Sequence, residues 1–229
     1  MSDSLRETEK AEPSAISPII LMPRLYAVLD TSCFSTTKEL LSAAEELVEA
    51  GVTLIQYRNK SGDAREILAQ TRELKTQLSR TRAPAPHALK LIMNDRADLC
   101  IAAGFDGVHV GRDDLLPESA RKIIGPERWL GVSTHNAEQV AEADKSSANY
   151  IAIGPVFATF SKANPDPVVG LEGVRTARSL TKKPLVAIGG ITRANCHSVI
   201  EAGADSVAVI SDLATDTGKS AEEFLRILG

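Results

Sequence analysis

The sequence predicts an α/β fold built as a single (β/α)8 barrel, and three observations carry that prediction. Short β-branched runs alternate with amphipathic stretches along most of the 229-residue chain, the pattern of repeated parallel βα units. The runs number eight, enough to close a sheet on itself. A short phrase also recurs: Glu49-Ala50-Gly51-Val52, Ala102-Ala103-Gly104-Phe105 and Glu201-Ala202-Gly203-Ala204 each end a helical stretch just before a strand. Glycine suits the position after a helix, where the backbone often turns left-handed, so one αβ module is repeated around a ring. An open doubly wound sheet is the alternative, and it wants a GxGxxG turn after the first strand that this chain lacks.

Residues 1–22 are polar, carry Pro13 and Pro18, and read as a flexible N-terminal arm. Residues 23–229 hold the barrel. Its strands are expected at Leu25–Leu29, Val52–Tyr57, Leu89–Met93, Gly107–Val110, Trp129–Val132, Tyr150–Ile153, Leu185–Ile188 and Ser206–Ile210. Between them, stretches such as Lys38–Ala50 and Asp63–Arg80 repeat apolar residues at three and four, the helical period. The result is a compact TIM barrel, somewhat shorter than the usual ~250 residues.

Composition narrows the function. Hydrophobic residues are 43% and charged residues 24%, ordinary for a globular chain. A formal charge of −4 excludes a broadly basic nucleic-acid platform but leaves room for a local anion pocket. Cys33, Cys100 and Cys196 are far apart and form no CxxC pair, which fits reduced thiols in the cytoplasm. The apolar stretch Ile19-Ile20-Leu21-Met22 is too short to span a membrane and lacks a signal peptide's basic start and cleavage site.

Reactive residues of such a barrel sit at the C-terminal ends of its strands. The second strand ends in Gln56-Tyr57-Arg58-Asn59-Lys60, and a period of two puts Gln56, Arg58 and Lys60 on one side. A guanidinium fork beside an ammonium suits a polyanion, although a solvated strand end reads the same way. The third ends in Asn94-Asp95, where the aspartate is either a helix cap or a ligand. A second acid, Asp114, follows the fourth strand, and together the two suit one hard cation, Mg²⁺, completed by phosphate and water oxygens. His109 has no companion at metal-ligand spacing and reads more simply as a hydrogen-bonded barrel residue.

Ser133, after the fifth strand, offers a hydroxyl to phosphate or caps the helix at Asn136. The longest irregular segment, Val156–Gly170, carries Thr159, Ser161 and Lys162, and reads as a lid or a solvated loop. The last two strands end in Ile188-Gly189-Gly190-Ile191-Thr192 and Val209-Ile210-Ser211, where barrels commonly bind phosphate on backbone N–H groups. Two anion sites at one mouth suit a reaction between a diphosphate and a monophosphate.

In order, Gln56-x-Arg58-x-Lys60, Asn94-Asp95-Arg96, Gly107-Val108-His109-x-Gly111-x-x-Asp114, Gly131-Val132-Ser133, Gly154-Pro155-x-Phe157-x-Thr159-x-Ser161-Lys162 and Ala187-Ile188-Gly189-Gly190-Ile191 closely resemble the thiamine-phosphate synthase family. The resemblance spans about residues 25–213 and leaves the arm uncovered. It implies a transferase that joins hydroxymethylpyrimidine diphosphate to a thiazole monophosphate, forming thiamine phosphate and releasing pyrophosphate. It further implies Mg²⁺ on Asp95 and Asp114, with Arg58, Lys60, Asn94 and Lys162 gripping the diphosphate and Ser133 nearby, these five being the catalytic set. Gln56 and Thr159 would lie near the pyrimidine and Gly190 and Ser211 near the thiazole phosphate, with Ser161 and Ile210 also among the substrate-binding residues. The bond to pyrophosphate would break first, leaving a pyrimidine cation stabilised by its own amino group, so no nucleophilic side chain is required.

Three positions depart from the family pattern: Arg112 for the usual Gln, Asn59 for the usual Glu, and Ser161 for the commoner Thr. Arg112 would bring a cation beside Asp114, in competition with the metal. Two other functions fit the barrel: a thiazole tautomerase, which typically lacks the complete metal and diphosphate set, and a non-catalytic barrel binding a phosphorylated ligand. The expected partners are the two small substrates, not nucleic acid or a membrane; self-association stays open.

Overall fold

The computed structural model describes residues 20–81, 89–159 and 166–229. Eight parallel strands close into one barrel in chain order: β1 (Leu25–Asp30), β2 (Leu54–Arg58), β3 (Lys90–Asn94), β4 (Gly107–Val110), β5 (Trp129–Thr134), β6 (Tyr150–Ile153), β7 (Leu185–Ile188) and β8 (Ser206–Val209). β8 pairs back onto β1, with Leu25 opposite Val207, so the sheet has no free edge. Outside it lie α1 (Thr37–Glu49), α2 (Ala64–Leu78), α3 (Ala97–Ala103), α4 (Pro117–Ile124), α5 (Ala137–Lys145), α6 (Gly170–Leu180), α7 (Cys196–Glu201) and α8 (Thr217–Leu228). The expected barrel is present, with strand limits shifted by a residue or two. β8 stops short of Ile210, which leaves the extended region (φ −113°, ψ −80°) to start the 3-10 turn Ser211–Leu213.

Local chemistry sets the helix ends. Thr36, Asp63 and Asn136 cap α1, α2 and α5 by accepting the backbone N–H of Glu39, Glu66 and Gln139. The recurring glycines do what the repeat implied: Gly51, Gly104 and Gly203 follow α1, α3 and α7 at φ +101°, +64° and +111°. A side chain there would be strained, and each glycine lets the chain reverse into the next strand.

Two apolar layers result. The larger lies between sheet and helices, and includes Ile55 and Tyr57. The smaller fills the barrel with residues such as Tyr26, Leu54, Ile92, Tyr150, Val186 and Ala208. Of the expected arm, residues 1–19 lie outside the described residues. Ile20 and Met22 are buried (9% and 8% exposed) and join the interior cluster, whereas Leu21 between them is 91% exposed. Among the described residues, no helix is long and apolar enough to cross a membrane.

Candidate active site

Strand alternation sends every second residue into the barrel, and the last inward residue of each strand reaches the mouth. On β1 that residue is Asp30, and the β1–β2 register sets it directly opposite Arg58. Asp30 is 3% exposed; it pairs with the Arg58 guanidinium and accepts hydrogen bonds from Ser32 N and Oγ at 3.0 and 2.8 Å. Arg58 is thus braced from behind. Farther out, Lys60 reaches across to the Asp95 carboxylate.

Asp95 does not cap a helix. α3 begins at Ala97, and its N-cap position, Arg96, makes no side-chain cap bond. Asp95 instead sits at φ +60°, a conformation uncommon for non-glycine residues, and its N–H donates to the His109 carbonyl at 2.7 Å. The carboxylate meets Asp114, which folds back over its own turn to accept Gly111 N–H at 2.8 Å. Burial, and then the hydrogen bond and charge of Asp95, push the Asp114 carboxyl above the usual carboxylate range. Two acids in mutual repulsion fit a divalent cation. Among the described residues no group of three or more His, Cys, Asp or Glu side chains gathers for a metal, so such a cation would draw further oxygens from phosphate and water.

Arg112 lines the same cavity as this pair, and its guanidinium is ion-paired with Glu142 on α5 at 3.3 Å. Asn59 turns its carbonyl back to the N–H groups of Ser61 and Gly62 at 3.1 and 2.7 Å, shaping the loop before α2.

Beneath the mouth lies a polar chain that the sequence did not reveal. Gln56 Nε2 donates to Tyr26 Oη at 2.8 Å; Tyr26 Oη and Tyr150 Oη are 3.0 Å apart. Tyr150 Oη lies 3.1 Å from His109 Nδ1, and His109 Nε2 lies 2.9 Å from Ser133 Oγ. Burial drops the His109 imidazole to about 4, against a smaller opposing effect of Asp114, so it is uncharged at neutral pH. Ser133 therefore does not cap α5, which Asn136 caps; it is held at the mouth by His109.

The opposite wall is built mostly of backbone. Gly189 and Gly190 have φ +99° and +62°, and a Cβ on Gly190 would meet the Ala158 carbonyl at 2.4 Å. Val156 N–H and Phe157 N–H donate to the carbonyls of Ile188 and Gly189 at 2.9 and 3.0 Å, while Val169 N–H donates to Pro155 O at 2.9 Å. The first stem of the long 156–170 segment is thus fastened to the end of β7, and the second to Pro155, just after β6. His135 adds a tie: Nδ1 lies 2.6 Å from Gly154 O and Nε2 3.4 Å from an Asp166 carboxylate oxygen.

A cavity of about 450 Å³ joins these walls, lined by Arg58, Lys60, Asp95, Asp114, Ser133, Thr159, Gly189 and Ile210 among others. Of the expected site residues, Gln56 is buried just below it, Asn94 is half-buried at the end of β3, and Ser211 is exposed on the 3-10 turn. Gly190 lies behind Gly189, against the loop stem. Ser161 and Lys162 lie outside the described residues. Asp30, Tyr26, Tyr150 and His135 were missed. The period of two from Val28 places Tyr26 and Asp30 inward, a signal the sequence did contain.

Comparison with known proteins gives a consistent picture. The model of the family described as thiamine monophosphate synthase matches residues 25–213. A thiamine-phosphate synthase of Koribacter versatilis is 60% identical over 210 residues, covering 90% of this chain and 96% of that protein. One from Methanosarcina mazei is 40% identical, over 89% of this chain and 82% of that protein. The solved thiamine phosphate pyrophosphorylase of Pyrococcus furiosus superposes with a TM-score of 0.77 at 32% identity, covering 90% of this chain and 95% of that one.

Proposed function

The chain belongs to the thiamine monophosphate synthase family, and on that premise we propose that the barrel mouth is its active site. The reaction is a transfer: the pyrimidinylmethyl group of 4-amino-5-hydroxymethyl-2-methylpyrimidine diphosphate passes to the ring nitrogen of 4-methyl-5-(2-phosphoethyl)thiazole, giving thiamine phosphate and pyrophosphate. The single observation that carries the site is the meeting of Asp95 and Asp114 beside Arg58 and Lys60, across one cavity from Gly189 and Ile210. Charge on one wall and backbone on the other suit a diphosphate and a monophosphate respectively.

In this reading Arg58, Lys60, Asn94, Ser133 and Lys162 hold the diphosphate. Asp30 keeps the Arg58 fork aimed at the mouth, so little reorganisation is needed when charge builds on the leaving oxygen. Lys60, paired with Asp95, exchanges part of that contact for phosphate oxygens. Ser133, held by His109, supplies a hydroxyl. Mg²⁺ bound by Asp95 and Asp114 would supply further neutralisation of the departing pyrophosphate. Gln56 and Thr159 orient the pyrimidine, and Ser161, Gly190, Ile210 and Ser211 hold the thiazole phosphate. No side chain attacks carbon; the residues align two substrates and offset charge. The three thiols are all free, which supports a cytoplasmic setting.

The test is pyrophosphate release from both substrates together, with and without Mg²⁺. Release that requires both substrates and the metal supports the reading. Isomerisation of a thiazole with no pyrophosphate released would make the chain a tautomerase, and binding without turnover would make it a sensor.

A further inference from the structure

We propose that Gln56, Tyr26, Tyr150, His109 and Ser133 form a one-way hydrogen-bond chain that fixes the His109 proton on Nε2 and leaves the Ser133 hydroxyl proton to be donated into the cavity. The proposal rests on the preceding reading for the nature of the anion in that cavity. Tyr26, Tyr150 and His109 are positioning residues in it; Ser133 and the His109 ring edge line the cavity, and Gln56 is buried just below it.

The direction follows from counting protons. Among the described residues Tyr26 Oη has two hydrogen-bond partners, Gln56 and Tyr150. Gln56 Nε2 donates to it, so the only acceptor left for the Tyr26 proton is Tyr150 Oη, and an unsatisfied buried proton is costly. Tyr150, having accepted, gives its own proton to His109 Nδ1. His109 then carries its proton on Nε2 and donates to Ser133 Oγ. Ser133 is left with a proton and an open mouth before it, and it lines the cavity with Arg58 and Lys60. An anion there receives a donor. The opposite direction would present it with lone pairs.

The backbone is shaped around this chain. A Cβ on Gly131 would lie 2.3 Å from Tyr150 Oη and 2.4 Å from His109 Nδ1, so the glycine clears the space in which that contact forms. The Tyr26 and Tyr150 rings meet edge to face, with centroids 6.0 Å apart, a favourable ring packing that accompanies their 3.0 Å hydroxyl contact. The chain also joins two functions: the residue placed by the pyrimidine, Gln56, sets the proton of the residue placed by the diphosphate, Ser133. Their amide and hydroxyl are matched before any ligand arrives.

The experiment reads the imidazole nitrogens of the ¹⁵N-histidine-labelled wild-type chain by NMR, with His109 assigned through His109→Gln. The expected signature is a protonated Nε2 and an unprotonated Nδ1. Tyr26→Phe loosens it, since Tyr150 no longer receives a proton and is free to accept one from His109; an unchanged signature there would mean that Gln56 does not set the direction. Tyr150→Phe, which removes the link, mixes the two tautomers and weakens Mg²⁺-pyrophosphate binding roughly fivefold by calorimetry, while KM for the thiazole phosphate stays put. A wild-type His109 protonated on Nδ1, or already mixed, overturns the proposal without any variant having to fold. Wild-type pyrophosphate affinity in Tyr150→Phe overturns it as well. The nitrogen signature needs no turnover, so an inactive chain that shows it would sink the proposed reaction and leave the hydrogen-bond chain standing.

Discussion

Asp30, 3% exposed at the end of β1, is ion-paired with Arg58 at the end of β2, and the strand register alone brings the two opposite each other. Asp30→Ala would leave a largely buried guanidinium without its counter-charge. We expect a stability loss of about 2 kcal/mol, less than for a fully buried pair because Arg58 keeps 19% exposure. KM for the pyrimidine diphosphate should rise about tenfold as the fork loosens. Urea denaturation and steady-state kinetics check the two effects separately. An unchanged KM would mean that Asp30 serves only the fold.

Asp95 and Asp114 give a sharper contrast. Asp114→Asn removes like-charge repulsion while its amide oxygen still accepts Gly111 N–H. The metal-free variant should therefore be as stable as the parent chain or more so, by up to about 1 kcal/mol, while turnover falls roughly a hundredfold or more. Mg²⁺ should raise the Tm of the parent chain and leave that of the variant unmoved. Chelation should abolish parent activity. A variant that is both unstable and inactive would point to a structural acid pair instead.

Gly131→Ala tests the crowding in the barrel interior. Its Cβ would lie 2.1 Å from Tyr150 Cζ, and buried rings on neighbouring strands have little room to retreat. A loss of roughly 1–3 kcal/mol is expected from denaturant unfolding. A silent substitution would mean that Tyr150 is not held where His109 needs it.

How much of this was readable in advance depended on how far apart the partners lie along the chain. The ring of modules was legible because each repeat is local, as Gly51, Gly104 and Gly203 show. Arg58 and Lys60 were legible because a period of two within one strand fixes their side. Tyr26 and Tyr150 bond across 124 positions of sequence, and only barrel closure brings them together. Asp95 was ambiguous for another reason: aspartate before a helix is a good cap, and nothing in the residue type announces φ +60°. Ile20 and Met22 alternate about Leu21 as a buried pair should, but the polar composition before them hid that signal.

The thiols offer a pH test away from the site's acids. Cys100 and Cys196 are buried, and burial lifts both, Cys100 to about 12. Cys33 is exposed, yet partial burial, and then the charge of Asp30, lift it too. A raised thiol has less thiolate at a given pH, so its reaction starts later on the alkaline side. Iodoacetamide should label one site per folded chain, slowly at pH 8 and faster as pH climbs past the ordinary thiol range. Unfolding should release all three. Fast labelling of Cys33 at neutral pH would contradict the assigned surroundings.

The two walls of the cavity should fail differently when mutated. Arg58→Ala removes a charge that only the diphosphate is proposed to use, so its KM should rise at least tenfold while that for the thiazole phosphate changes little. Gly190→Ala works through shape. The added Cβ would lie 2.4 Å from Ala158 O and 2.8 Å from Phe157 Cβ, and φ +62° already disfavours any side chain. Ala158 and Phe157 belong to the stem that carries Thr159, and that stem is fastened by the Phe157 N–H bond to Gly189 O at 3.0 Å. Something must give: the glycine turn moves, the stem moves, or both do. Gly190→Ala should therefore raise KM for the thiazole phosphate and lower kcat together, because Thr159, placed beside the pyrimidine, moves with the stem. It should also cost stability, roughly 1–3 kcal/mol. Two-substrate kinetics on the two variants separates these patterns. If each variant raised both KM values in the same ratio, the division of the mouth into a charged wall and a backbone wall would be wrong.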